Sequence, residues 1–299
     1  ITIRSNAQRL CPEALDEVAP LRSPGSEAFH VGEAAAHESG RSVRLEADLA
    51  PTGPPVLRRL TQQPAGRNLL LRPCNIVELK VDGQAVPPEA LRPIETDESP
   101  PTLSGEASSS TTVEKTIRNS WRWFAVEDTP GLRVGVSIAQ PDDGALRFMA
   151  ALHNEGDVAY DVDLVAPALG PYVLGEGAES AYYLAPRCGA VLDNRDIDQS
   201  HRYCGLFPLQ FLDTFDPAAG CGLMLQTEDP GGLRKHYLLK KEGNRFVLGV
   251  EYRQGSLKPG AKFRTAPTVI AATDGHWRRG LEAYRRWLAT WHEPRVPRK

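Results

Sequence analysis

The 299-residue sequence has no apolar run of about 18 residues, so no helix able to cross a bilayer is expected. It also lacks an excess of one charge. Its 35 basic residues stand against 38 acidic ones, leaving no global field to favour nucleic acid or an anionic membrane, and neither is expected as a partner. The cysteines are few and scattered: Cys11, Cys74, Cys188, Cys204 and Cys221 form no CxxC pair and no Cys/His cluster. That excludes a structural zinc site of the usual spacing and reads as buried free thiols, with Cys188–Cys204 the alternative pairing. No GxSxG, HExxH, P-loop or dinucleotide fingerprint occurs, and no cofactor is expected. Neither an initiator methionine nor a signal-peptide pattern opens the chain, so it is expected to begin inside a longer product. Nothing in this composition fixes a compartment.

What the sequence does hold is a succession of short strands. In the first 65 or so residues, rich in Pro, Ala, Gly and charge, Ser42–Leu49 is the one clear strand pattern. Asn68–Leu71 and Ile76–Val81 follow, the second closed by the turn Asp82-Gly83. Residues Pro93 to Thr112 are polar and of low complexity, which reads as an exposed loop or linker. Strand patterns then recur at Val113–Arg118, Trp121–Val126, Leu132–Ile138, Leu146–Leu152 and Val158–Val165. They continue at Ala181–Leu184, Gly205–Leu212, Gly222–Gln226, His236–Leu239, Phe246–Tyr252 and Thr268–Ala272. Glu242-Gly243-Asn244 makes a hairpin of the strands around it. There is no internal repeat. The pattern predicts a mainly β fold: a large two-sheet antiparallel β-sandwich, or supersandwich, ending in a linker helix. Residues 1–111 read as an irregular part with a few strands packed on the sandwich, 112–273 as its core, and 274–299 as helix and linker.

That helix is the sharpest local signal. At about 100° per residue, Trp277, Leu281, Tyr284, Leu288 and Trp291 fall in one stripe with Trp287 at its edge. Arginines and Glu282 cover the remaining circumference, Asp274 is the expected N-cap, and Glu293-Pro294 the stop. So much aromatic surface must dock on something.

Chemistry-bearing residues concentrate in one segment. Asp193, Asn194, Arg195, Asp196 and Asp198 are followed by His201, Arg202 and Tyr203. Such groups hydrogen-bond sugar hydroxyls, and Asp193, Asp196 and Asp198 alternate in the manner of a weak calcium loop, although the EF-hand glycine and glutamate are missing. A solvated turn is the competing reading. Trp121 and Trp123, two apart on a strand, point to one face and offer either a pyranose-stacking surface or core packing. Asp193, Arg195, Asp196, His201, Tyr203, Trp121 and Trp123 are therefore the candidate substrate-binding residues. Asp213, Asp216, Glu228 and Asp229 sit beside turns, where aspartate is a turn former, and no catalytic residue is assigned.

The phrases from Tyr203-Cys204-Gly205-Leu206-Phe207-Pro208 to Asp213, and from Gly220-Cys221-Gly222-Leu223-Met224 to Asp229, carry a resemblance. With Lys258-Pro259-Gly260 and the exit helix His276-Trp277 … Tyr284-Arg285-Arg286-Trp287, the segment Leu146–Trp291 resembles the galactose-mutarotase-like β-sandwich that precedes the TIM barrel of several glycoside hydrolases. The resemblance implies a non-catalytic domain supporting a downstream catalytic barrel in the same polypeptide, in an enzyme whose partner is carbohydrate. The alternatives are a stand-alone carbohydrate-binding module and a mutarotase- or lyase-like enzyme using His201, His236 and Glu251 in acid–base roles.

Overall fold

A computed structural model describes residues 43–50, 52–96, 121–141, 143–187, 190–204 and 207–292. In chain order the first strands are β1 (Arg44–Leu49), β2 (Val56–Gln63), β3 (Arg67–Asn68), β4 (Cys74–Asn75), β5 (Glu78–Val81), β6 (Gln84–Val86) and β7 (Leu91–Ile94). Then come β8 (Trp121–Val126), β9 (Leu132–Ala139), β10 (Leu146–Asn154), β11 (Tyr160–Val173), β12 (Tyr182–Pro186), β13 (Ala190–Asp193) and β14 (Ile197–Arg202). The last are β15 (Phe211–Asp216), β16 (Cys221–Thr227), β17 (His236–Glu242), β18 (Arg245–Leu257), β19 (Lys262–Arg264) and β20 (Thr268–Thr273), followed by helix α1 (Trp277–Leu288).

Two antiparallel sheets face each other. The larger runs β13-β12-β15-β16-β20-β10-β9-β8-β7, with β19 also on β10; the smaller runs β14-β17-β18-β11-β5-β6. Strands β1 to β4 form a third, small sheet in which β2 pairs with the other three. The fold is a mainly β sandwich with one helix at its C-terminal end among the described residues.

The layers meet because every second residue of a strand points into the gap between the sheets. Phe124, Phe148, Leu152 and Leu225 come inward from the larger sheet, and Tyr172, Tyr237, Phe246 and Tyr252 from the smaller, all essentially without exposure. Buried phenols need partners, and two find them across the gap. The Tyr172 hydroxyl lies 2.7 Å from Thr214 Oγ1, and the Tyr237 hydroxyl donates to Thr227 Oγ1 at 2.8 Å. These bonds tie β11 and β17 to β15 and β16 and fix the register of one sheet over the other.

Turn chemistry closes the strands where expected. Asp82 and Gly83 both take positive φ, 51° and 79°, as the tight β5–β6 hairpin demands. Asn154 Oδ1 accepts from the Gly156 amide while Nδ2 donates to the Val158 and Leu257 carbonyls, so one side chain joins three segments.

Several expectations are corrected. Strand β2 escapes the sequence pattern because Arg58-Arg59 and Gln62-Gln63 interrupt its apolar residues, yet Leu57 and Leu60 are buried. Leu91–Ile94, partly assigned to a polar loop, is a strand paired with β8. The helix cap is His276, whose Nδ1 accepts from the Arg278 amide at 3.2 Å; Asp274 instead accepts from Arg279 Nε. The helix ends at Leu288, so Trp291 is 41 % exposed and lies outside the docked stripe. Cys74, Cys204 and Cys221 are free thiols, Cys204 an exposed one. The strand expected at Val113–Arg118, together with Cys11 and Cys188, lies outside the described residues.

Candidate functional site

The chemistry-bearing segment is split by the fold. Asp193 ends β13 in the larger sheet, while Ile197–Arg202 forms β14, the edge of the smaller one. The acidic residues between them serve local contacts. Asp193 accepts from Arg195 Nε and from the amides of Asn194 and Arg195. Burial works to raise its carboxyl, but these donors hold it below the ordinary value. Asp196 accepts from the Gly243 amide at 2.8 Å and Asp198 pairs with Lys240 at 3.2 Å. Each carboxylate thus has its own partner, and no three His, Cys, Asp or Glu groups converge on a metal position among the described residues.

His201 turns inward. It is 9 % exposed, its ring stacks on Phe207 with centroids 5.2 Å apart, and burial together with Arg187 lowers its pKa. Tyr203 is half-buried, with Lys235 Nζ 4.7 Å over its ring. Trp121 and Trp123 do share a face, stacked at 5.9 Å over Gly135. Trp123 is only 3 % exposed, and Trp121 packs on Ala139 and Met149, so the pair is chiefly a packing feature of the larger sheet. Arg195 is exposed on its loop.

A different set comes together on the outer face of the smaller sheet. Antiparallel register sets Arg202 opposite His236, and His236 opposite Glu251. Neighbouring positions on that face carry Ser200 and Arg253, because residues two apart along a strand point the same way. Ser200 Oγ and His236 Nδ1 form a hydrogen bond of 3.2 Å. Arg253 grips Glu251 with Nε at 3.0 Å and its terminal nitrogen at 2.8 Å. Burial lowers the His236 pKa, and Arg253, Arg234 and Arg202 lower it further, while Glu251 opposes them. The lowered pKa favours the uncharged imidazole, which lies across the strands from a carboxylate held by Arg253.

Further along the same face lies an open groove of 620 Å³. Leu71, Pro171 and Val247 give it an apolar floor, and Arg72, Lys240, Glu242 and Arg245 its polar rim. An apolar floor with hydrogen-bonding edges suits a ring with polar substituents. Sequence reasoning names His236, Glu251 and Arg202 but does not bring them together, and it misses Ser200 and Arg253 beside them. The one available signal was the alternation of β17 and β18, which places every second residue on this face.

No family model and no curated protein sequence matches the chain. Among solved structures, the α-N-acetylgalactosaminidase NagBb from Bifidobacterium bifidum, in complex with GalNAc, aligns with a TM-score of 0.53 and 10 % identity. The alignment covers 82 % of this chain and 39 % of NagBb. The α-galactosidase from Lactobacillus brevis aligns at TM-score 0.47 and 10 % identity, over 83 % of this chain and 40 % of the enzyme. A galactose mutarotase related enzyme from Lactobacillus acidophilus gives 0.40 and 10 %, over 77 % and 98 %. At such identities the likeness to NagBb is one of fold: this chain is a large β-sandwich spanning about two fifths of that glycosidase's length.

Proposed function

We propose that the chain is a non-catalytic β-sandwich domain of a glycoside-hydrolase-like, carbohydrate-active enzyme, and that it supports a downstream catalytic barrel. The observation that carries this reading is the shared fold with NagBb, which takes up most of this chain and under half of that glycosidase. Helix α1 fits the same role. It is docked on the outer face of the larger sheet, where Tyr284 stacks on Phe211 at 5.2 Å, and presents its arginines away from the sandwich. The experiment is to incubate the purified chain with aryl α-N-acetylgalactosaminides and other aryl glycosides. No turnover above background is expected.

A second reading rests on the His236–Glu251 pair and the groove beside it: this face binds saccharide, and in a mutarotase- or lyase-like enzyme it would move protons. Turnover that disappears in Glu251→Gln would replace the supporting role with this one.

A further inference from the structure

Asp213 stands on the outer face of β15 between Phe211 and Phe215, with Leu184 of β12 and Met224 of β16 as its cross-strand neighbours. Helix α1 lies over it. Gly280 faces the carboxyl, and a methyl group added there would collide with Oδ2. Asp213 has no exposure at all, and no side chain donates a hydrogen bond to its carboxyl. Leu184, Phe211, Phe215, Met224 and Tyr284 form the buried cluster around it, with Trp277, Leu281, Trp287 and Leu288 packed on their edges.

An ionised carboxylate in such a seat has lost its water and has only the Thr214 backbone to set against that loss. A neutral carboxylic acid is tolerated far better. We propose that α1 is a releasable latch seated on the protonated form of Asp213: the helix docks over a neutral acid and lets go when that acid gives its proton to solvent.

The surrounding groups do not supply a counter-charge. On the helix side, Asp274 is the nearby charge and disfavours ionisation; Arg279 is turned to Asp274 and Glu282. The Tyr284 hydroxyl accepts from the Gln210 amide. On β12, Tyr182 stacks on Phe215, and β16 presents Met224. Beneath the sheet, the buried Tyr172 phenol feels Asp213 as a further negative neighbour. Burial pushes the Asp213 carboxyl well above its ordinary range and Asp274 adds to the shift, while the Thr214 backbone opposes it.

The sign follows from linkage. Because the docked state holds the proton more tightly than the released state, docking is strongest below the ordinary aspartate value of about 3.9 and weakens as pH rises through the raised value. Hydrogen exchange of the α1 amides, corrected for the intrinsic pH dependence of exchange, measures the opening equilibrium. Between the ordinary aspartate value of about 3.9 and the raised value of the docked state it is expected to grow by up to about tenfold per pH unit in the wild type and to level off above, and to stay flat throughout in Asp213→Asn. Equal slopes in both proteins, or no slope in the wild type, overturn the proposal. Carboxyl NMR of wild-type Asp213 gives an independent reading should the variant fail to fold. Ionisation together with the α1 signals supports the latch, and titration in the ordinary aspartate range refutes it.

Discussion

Lys235 has none of its side chain in water, and several contacts hold it there. Its ammonium donates to Asp229 Oδ2 at 2.5 Å and to the Leu233 carbonyl at 3.0 Å, and sits over the Tyr203 ring. Asp229 also accepts from the Leu233 amide. Burial lowers the lysine pKa and Asp229 counters it, as befits a pair removed from solvent together. The pair pins the crossover from β16 in one sheet to β17 in the other. Removing one partner strands the other charge, so Lys235→Met is expected to lose about 3–5 kcal/mol in urea unfolding. Asp229→Leu combined with Lys235→Met should regain most of that loss. A double variant as unstable as the single one contradicts this role. Neither this pair nor Asp213 was legible in the sequence. The sequence places both aspartates beside turns, where aspartate is common for local reasons; Asp213 instead lies mid-strand in β15, and the burial of both is decided by residues distant in the chain.

At the scale of the element, legibility followed alternation. Trp121–Val126 is found with its boundaries because each side of β8 has a consistent character, and the β17–β18 hairpin is announced by Gly243, whose φ is 59°. Strand β14 was read as loop because an edge strand with only one neighbour carries charge on the face it leaves to water, and Asp198 and Arg202 are exposed there. The stripe of α1 was visible from its period. Its end was not, since the last turn depends on what the sandwich offers beneath it. Close packing gives a second test at this scale. A Cβ on Gly135 would approach Trp121 and Trp123 ring carbons at 3.0 Å, so the stacked pair requires glycine on the neighbouring strand β9. Gly135→Ala is expected to destabilise the fold by about 1–3 kcal/mol and to alter tryptophan fluorescence. An unchanged unfolding midpoint contradicts the packing role assigned to these tryptophans.

Across the described residues, cross-sheet tyrosine–threonine bonds tie the two sheets together, and the small β1–β4 sheet feeds Leu45, Leu57 and Leu60 into the same core. The sandwich class was readable from many short strands and turn signals; the arrangement of the outer face was not, because cross-strand neighbours are set by register. The direct measurement is the coding sequence beyond the codon for Lys299. The proposal predicts an open frame of roughly 300 codons or more with the alternating strand and helix pattern of a TIM barrel, and paired carboxylates at strand C-terminal ends. A stop codon at that point contradicts it and transfers the question to saccharide binding at the His236–Glu251 face.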